Sequence, residues 1–324
     1  MTATATITPN TSFLDPAVLA RIGNLELLAR TVVEGFIQGL HRSPHLGAST
    51  DFAEHRAYMP GDDIRRIDWR LWARSDRFFV KEFEADTNTN FRVIVDVSPS
   101  MRYGALAEDG RPSKLTYSCY LAACLTYFSS LQRDRVGLAT IAEDIVDYIP
   151  PSAKHLQLVL HALDQADRRA QEAASNPPDR GRAPVTRPTL DAPLRKLSDS
   201  VRRRSIVVLI SDLYEDPENV IAALANLRGR GNDLIIFHVL DPRELEFPFT
   251  DSSTFIDVET GERMPIIPDY LRKQYRELIA QHTATLARRM GEQRIDYALF
   301  DTSKPLDQAL FTYLLARQRF NRVR

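Results

Sequence analysis

The pattern of apolar and polar positions changes character near residue 91. From Phe91 onward, short runs of Val, Ile and Leu alternate with longer stretches whose apolar residues recur at helical spacing. The predicted order is a strand over 91–96, a helix over 114–132, strands over RVGLATIA and IVDYI, and a helix from 154 to about 167. A helix over 190–201, the strand SIVVLIS, a helix over 218–230 and the strand DLIIFHVL follow. A helix over 270–290, the strand RIDYALF and a last helix over 306–319 complete the series. Apolar strands separated by amphipathic helices predict an α/β fold with a doubly wound, mostly parallel sheet covered on both faces, occupying 91–324.

Two stretches break this rhythm. Residues 168–187, RRAQEAASNPPDRGRAPVTR, hold almost no large apolar side chain and read as a mobile loop. Residues 244–268 place Glu-Thr-Gly-Glu between two short strand-like runs and read as a surface β-hairpin. Upstream, residues 1–14 read as a disordered leader, since they lack the charged start and apolar core of a signal peptide. Residues 15–90 form a smaller N-terminal helical and strand region, with an amphipathic stretch to Leu40, a helix start at Gly61-Asp62-Asp63 and the strand-like FFVKEF. Trp69 and Trp72 share a helix face there, and Arg65, Arg66, Arg70, Arg74 and Arg77 are either a solvated basic face or an anion-binding one.

Charge and composition narrow the classes. With 42 basic and 43 acidic side chains, the chain has no global attraction for nucleic acid or anionic lipid. No apolar run is long enough to span a membrane. The two cysteines, Cys119 and Cys124, stand five apart in a predicted helix, where they read as buried apolar residues of a cytoplasmic protein.

The chemistry is concentrated where strands end. VIVDVSPS closes on Asp96, Ser98 and Ser100, and VLISDLYED closes on Asp212 beside Ser211. In an open α/β sheet, ligands bind outside the carboxyl ends of the strands. If the two strands are neighbours, their oxygens meet at one point. Two carboxylates with neutral hydroxyls suit Mg2+, with Mn2+ or Ca2+ as alternatives, and leave a coordination position for a partner's carboxylate. The competing reading is structural, because Asp and Ser after a strand also cap helices and turns.

Enzyme signatures are few. GALAEDGRPSK lacks the glycine spacing and the Lys-hydroxyl pair of a phosphate loop. Ser98 stands where an aspartyl phosphatase would need a second Asp as general acid. No GxSxG or HExxH occurs, and His55 and His238 read as structural.

Asp96-Val-Ser98-Pro-Ser100 resembles the DxSxS element of the von Willebrand factor A fold and its metal-ion-dependent adhesion site. The resemblance implies metal ligation by Asp96, Ser98, Ser100, a threonine from a later loop and Asp212. Thr189 stands at the threonine's place, with Thr186 a neighbouring candidate in a loop without the usual paired glycines. Residues 41–84, from HRSPHLGAST to RFFVKEFE, together with DVETGERMPI and DYALFDTSKPLDQALFTYLLARQRF, are similar to the domain of unknown function 58 family. That resemblance implies a von Willebrand A-like domain, no enzymatic activity and a MoxR-type AAA+ ATPase as partner. The chain would act as its adaptor or co-chaperone, with a client protein supplying the acidic ligand. A metal-dependent phosphoesterase using the same oxygens, or a metal-free scaffold, are the alternatives.

Overall fold

The computed structural model describes residues 19, 24–42, 55–57, 78–81, 89–104, 111–175, 189–201, 204–257, 259–260 and 262–313. The chain divides into two compact units, one of residues 1–34 with 89–324 and one of residues 35–88. Helix α1 (Leu25–Arg42) starts where the Asn24 side chain accepts the Leu27 amide, and it buries Leu28, Ala29, Val32 and Val33. In the 35–88 unit, β1 (His55–Ala57) pairs antiparallel with β2 (Phe79–Lys81). The tryptophans, the five arginines and the Gly61 turn lie outside the described residues.

The larger unit is built on a six-stranded sheet. Its strands are β3 (Asn90–Asp96), β4 (Arg135–Ile141), β5 (Ile145–Ser152), β6 (Ser205–Ser211), β7 (Asp233–Leu240) and, last in the chain, β10 (Asp296–Asp301). They lie in the order β10-β7-β6-β3-β4-β5, all neighbours parallel except β4 and β5. Counted from β3, this is the 3-2-1-4-5-6 order of doubly wound sheets with one edge strand reversed. The predicted α/β fold is therefore the observed one. The chain builds β3, β4 and β5 outward in one direction and then returns to the far side of β3 as β6, so the winding reverses between β3 and β6.

Strand burial follows position. β6 and β7 are buried at every residue, as strands covered on both faces must be. β5 alternates between half-buried and exposed positions and carries Pro150 and Pro151, which an edge strand tolerates. Opposite it, a Cβ on Gly137 would stand 2.7 Å from the Ile149 carbonyl oxygen and 2.8 Å from the Pro151 nitrogen. Only glycine allows that approach, and the β4–β5 register shifts there.

Helices cover both faces. On one, α2 (Lys114–Leu131) is buried on almost every side, and Tyr313, in a helical stretch over 307–313, meets Phe91 and Phe128 edge-on. Cys119 and Cys124 are free and fully buried in α2, and burial pushes both thiols well up. α3 (Leu156–Ser175) joins α2 through a 2.6 Å bond from the Thr116 hydroxyl to Asp167. It runs eight residues into the stretch expected to be a loop. Arg, Ala, Gln and Glu are strong helix formers, and Ala170 continues the buried stripe where no large apolar residue advertises it. On the other face, α4 (Asp191–Ser200) and α5 (Pro217–Gly229) enclose a core with Val207, Leu209 and Ile236. The short α6 (Pro242–Glu246) is followed by the antiparallel hairpin of β8 (Ser253–Ile256) and β9 (Arg263–Ile266). α7 (Pro268–Glu292) completes this face by adding Leu286 and Met290 to the core. The stretch expected as a hairpin thus begins as a helix, because Asp241 and Glu244 form a capping box after the strand.

Candidate metal centre

Strand β3 delivers Asp96, and strand β6 delivers Ser211 and Asp212, to the point where the winding reverses. Adjacent pairing carries the register through Val95 and Ile210, so the next pair along is Asp96 and Ser211. The Ser211 hydroxyl donates to Asp96 Oδ2 at 2.7 Å, and the Ser98 amide donates to Asp96 Oδ1 at 2.9 Å. Each carboxylate oxygen has a second lone pair beyond those bonds. The Ser98 and Ser100 hydroxyls share a hydrogen bond at 3.0 Å. Leu213, directly after Asp212, takes a left-handed φ of 48°, and its amide donates to the Ser211 hydroxyl at 3.2 Å.

The capping alternative is only partly met. The Asp96 carboxylate does fold the turn onto Ser98. The Ser98 side chain, however, makes no cap to the 3-10 turn Pro99–Arg102. Asp212 does not cap α5 either, since Asp216 does so through the Glu218 amide.

Asp212 is instead paired. Lys114 Nζ, fully buried at the first residue of α2, donates to Asp212 Oδ2 at 2.8 Å and to Glu244 Oε1 at 2.8 Å. A cation at a helix N-terminus opposes the helix dipole, so its place there depends on those two acids. The capping box fixes Glu244, whose Oε2 accepts the Asp241 amide at 2.9 Å. The Tyr214 ring covers the ammonium at 4.7 Å. Burial would lower the Lys114 ammonium, but Asp212 and Glu244 outweigh it and hold it above its ordinary value. Burial and the neighbouring Asp212 carboxylate lift Asp96 to about 6, against the hydrogen bonds from Ser211 and Ser98.

The hairpin adds a further acid. The carboxyl of Glu259, in the turn between β8 and β9, feels the like charges of Asp212, Asp257 and Asp96. Burial, and then those like charges, raise its carboxyl, with Ser100 opposing them.

The sequence-predicted residues are thus distributed unevenly. Asp96, Ser98, Ser100 and Asp212 converge. Thr189 is exposed, ahead of Leu190 whose amide donates to Glu215 Oε1 at 2.6 Å, and among the described residues no hydrogen bond joins it to the cluster. Thr186 lies outside the described residues. Lys114, Glu244 and Glu259 were not anticipated.

A hard cation fits this donor set. All the donors are oxygens, and neighbouring corners of an octahedron with ligands at ~2.1 Å lie about 3.0 Å apart, which is the Ser98–Ser100 spacing. Among the described residues no three His, Cys, Asp or Glu side chains gather at metal-ligand spacing, so hydroxyls would carry as much of the coordination as carboxylates. Asp212, with one oxygen on Lys114, has the other to offer.

A doubly wound α/β domain with an oxygen cluster at its winding reversal is the class that fold and site define. The sequence matches the family described as "Protein of unknown function DUF58" over residues 54–285, and the chain belongs to that family. It is 28% identical over 278 residues to the uncharacterized protein Rv1480 of Mycobacterium tuberculosis (strain ATCC 25618 / H37Rv), covering 85% of this chain and 81% of that protein. Among solved structures it is similar to an aerotolerance-related membrane protein from Bacteroides fragilis, with 15% identity, a TM-score of 0.44, and coverage of 71% of this chain and 99% of that one. BatB from Bacteroides thetaiotaomicron gives 15% identity, a TM-score of 0.43 and the same coverage. The von Willebrand A domain of SpRpn10 gives 13% identity and a TM-score of 0.32, covering 68% of this chain and 92% of that one. Among the described residues no helix is long and apolar enough to cross a membrane.

Proposed function

We propose that this chain is a Mg2+-dependent protein-binding module of the von Willebrand A type. Asp96, Ser98, Ser100 and Asp212 would hold the cation, Thr189 would join them from its loop, and Mn2+ or Ca2+ could substitute. The observation that carries this reading is the Ser98–Ser100 hydroxyl pair, set at octahedral spacing beside Asp96 with no capping bond from the Ser98 side chain. When bound, the cation would supply a positive charge that receives a carboxylate from a partner. The chain's own residues prepare that position: Ser211 orients Asp96, and Lys114 holds Asp212 while neutralising part of its charge. Ser98 stands two residues after Asp96, where an aspartyl phosphatase would need a second acid to supply the proton, so this reading gives the cluster a ligand-holding role. The partner in this reading is a MoxR-type AAA+ ATPase, for which the chain serves as cytoplasmic adaptor or co-chaperone, with the acidic ligand supplied by a client. The free, buried cysteines accord with a reducing compartment.

The test is calorimetric titration of Mg2+ into EDTA-treated protein, beside Asp96→Ala and Asp212→Ala variants shown to be folded by circular dichroism. Binding in the wild type that is lost in both variants supports the shared cation. A wild type giving neither binding heat nor a thermal shift overturns the reading, and the cluster is then a hydrogen-bonded strand end.

A further inference from the structure

Among its described residues the larger unit buries two Lys or Arg side chains, and it treats them differently. Lys114 is held by two acids. Arg92, on β3 and 4% exposed, meets no carboxylate among the described residues. Its Nη1 donates to the Tyr148 hydroxyl at 3.0 Å and to Ser200 Oγ at 3.3 Å, and its Nε is buried without a partner. A buried guanidinium is costly unless a negative charge answers it. The carboxyl end of α4, where Ser200 stands, offers about half of one elementary charge. That leaves the guanidinium undercompensated.

The register brings the arginine to this place. Arg92 pairs with Gly137 on β4, and Ala139, two residues further along β4, pairs with Tyr148 on β5. A hydrogen and a methyl on β4 leave room for the long Arg92 side chain to cross that strand and reach the sheet edge. The Tyr148 ring centroid lies 5.3 Å from the guanidinium carbon. Its hydroxyl donates to Ser200 Oγ at 3.3 Å, and Ser200 in turn donates to the Leu197 carbonyl at 2.7 Å. Both hydroxyls belong to exposed residues, Tyr148 at 40%. The cluster is one fixed cation with two hydroxyls that can turn to become donors. A single positive charge beside neutral donors matches a monoanion. The planar guanidinium fork fits the two oxygens of a carboxylate, whereas a phosphate dianion asks for more positive charge.

We propose that Arg92, Tyr148 and Ser200 form a carboxylate-binding site at the β5 edge of the sheet. It is independent of the candidate metal centre, since Arg92 stands four residues, about 13 Å along the strand, from Asp96. In this site the guanidinium supplies the charge. The Tyr148 hydroxyl gives up Ser200, and the Ser200 hydroxyl gives up the Leu197 carbonyl, to donate to the incoming oxygens.

The experiment uses the full chain in wild type, Tyr148→Phe and Arg92→Gln, with acetate as the probe, exchanged for chloride at constant ionic strength. The Arg92 Nε–H signal, identified by its loss in R92Q or its displacement in Y148F, is followed by NMR, and thermal unfolding is followed alongside. Phenylalanine keeps the ring over the guanidinium and removes the hydroxyl, so Y148F carries the test even if R92Q does not fold. The expected result is a saturable shift of that signal in the wild type and an acetate affinity at least about tenfold weaker in Y148F. Acetate should also raise the melting temperature of the wild type and leave that of a folded R92Q unchanged. No saturable response in the wild type, or equal acetate affinity in wild type and Y148F, overturns the site and makes the arginine a staple between β3 and β5. Inorganic phosphate binding more tightly than acetate overturns the assignment of a carboxylate.

Discussion

At the scale of single residues, Lys114 is the side chain on which the centre's electrostatics turn. It neutralises charge on two acids, Asp212 and Glu244, from a position with no access to water. Removing one member of such a set strands the others, at a cost of about 3–5 kcal/mol. Lys114→Met should therefore lower unfolding free energy in urea by that amount, and Lys114→Met with Glu244→Gln should recover part of the loss, because one stranded carboxylate is gone. Equal stability of the single variant and wild type would mean the ammonium contributes only packing. Asp96, Ser98, Ser100 and Asp212 were legible in the sequence because a carboxylate closing an apolar strand is conspicuous. Lys114 was not, since a lysine at a helix start resembles any solvated residue. The signal that could have found it is the helix itself: KLTYSCYLAACL has no polar face to which that ammonium could belong, so an acidic partner was implied. Glu259 was hidden differently, as a turn residue more than one hundred and fifty positions in sequence from Asp96, whose charge it feels.

At the scale of elements, His238 shows how one side chain couples three of them. It stands on β7, bonds the Tyr297 hydroxyl of β10 at 2.7 Å, and meets His282 of α7 edge-on at 6.2 Å. Burial drives its imidazole down to about 3 from 6.5, with His282 and Lys114 adding to the shift and the Asp212 carboxylate opposing it. A folded-state value below the unfolded one gives stability that is complete above pH 6.5 and drains away as the pH falls toward 3. Moving from pH 7 to pH 5 should thus weaken the folding equilibrium of the wild type by about twenty-fivefold more than that of His238→Gln, measured by urea unfolding at both values. Parallel pH profiles for the two proteins would contradict this. The strand–helix alternation was readable because strands buried on both faces are unbroken apolar runs. The end of α3 was not, because alanines packed against a core carry too little apolar surface to mark a face.

At the scale of the whole molecule, the order of strands explains why a cluster forms at all. Only the return of the chain to the far side of β3 places Asp96 beside Ser211. Sequence periodicity predicts that such a point exists without saying which two strands meet there. Cys119 and Cys124 sit in the helix at the middle of the core, fully buried, their thiols unreactive while the fold holds. Iodoacetamide should then modify both together, at a rate set by global opening, and Mg2+ that stabilises the native state should slow the two equally. Each molecule carries in those two sulfur atoms a stopwatch for its own unfolding, with no label to be engineered.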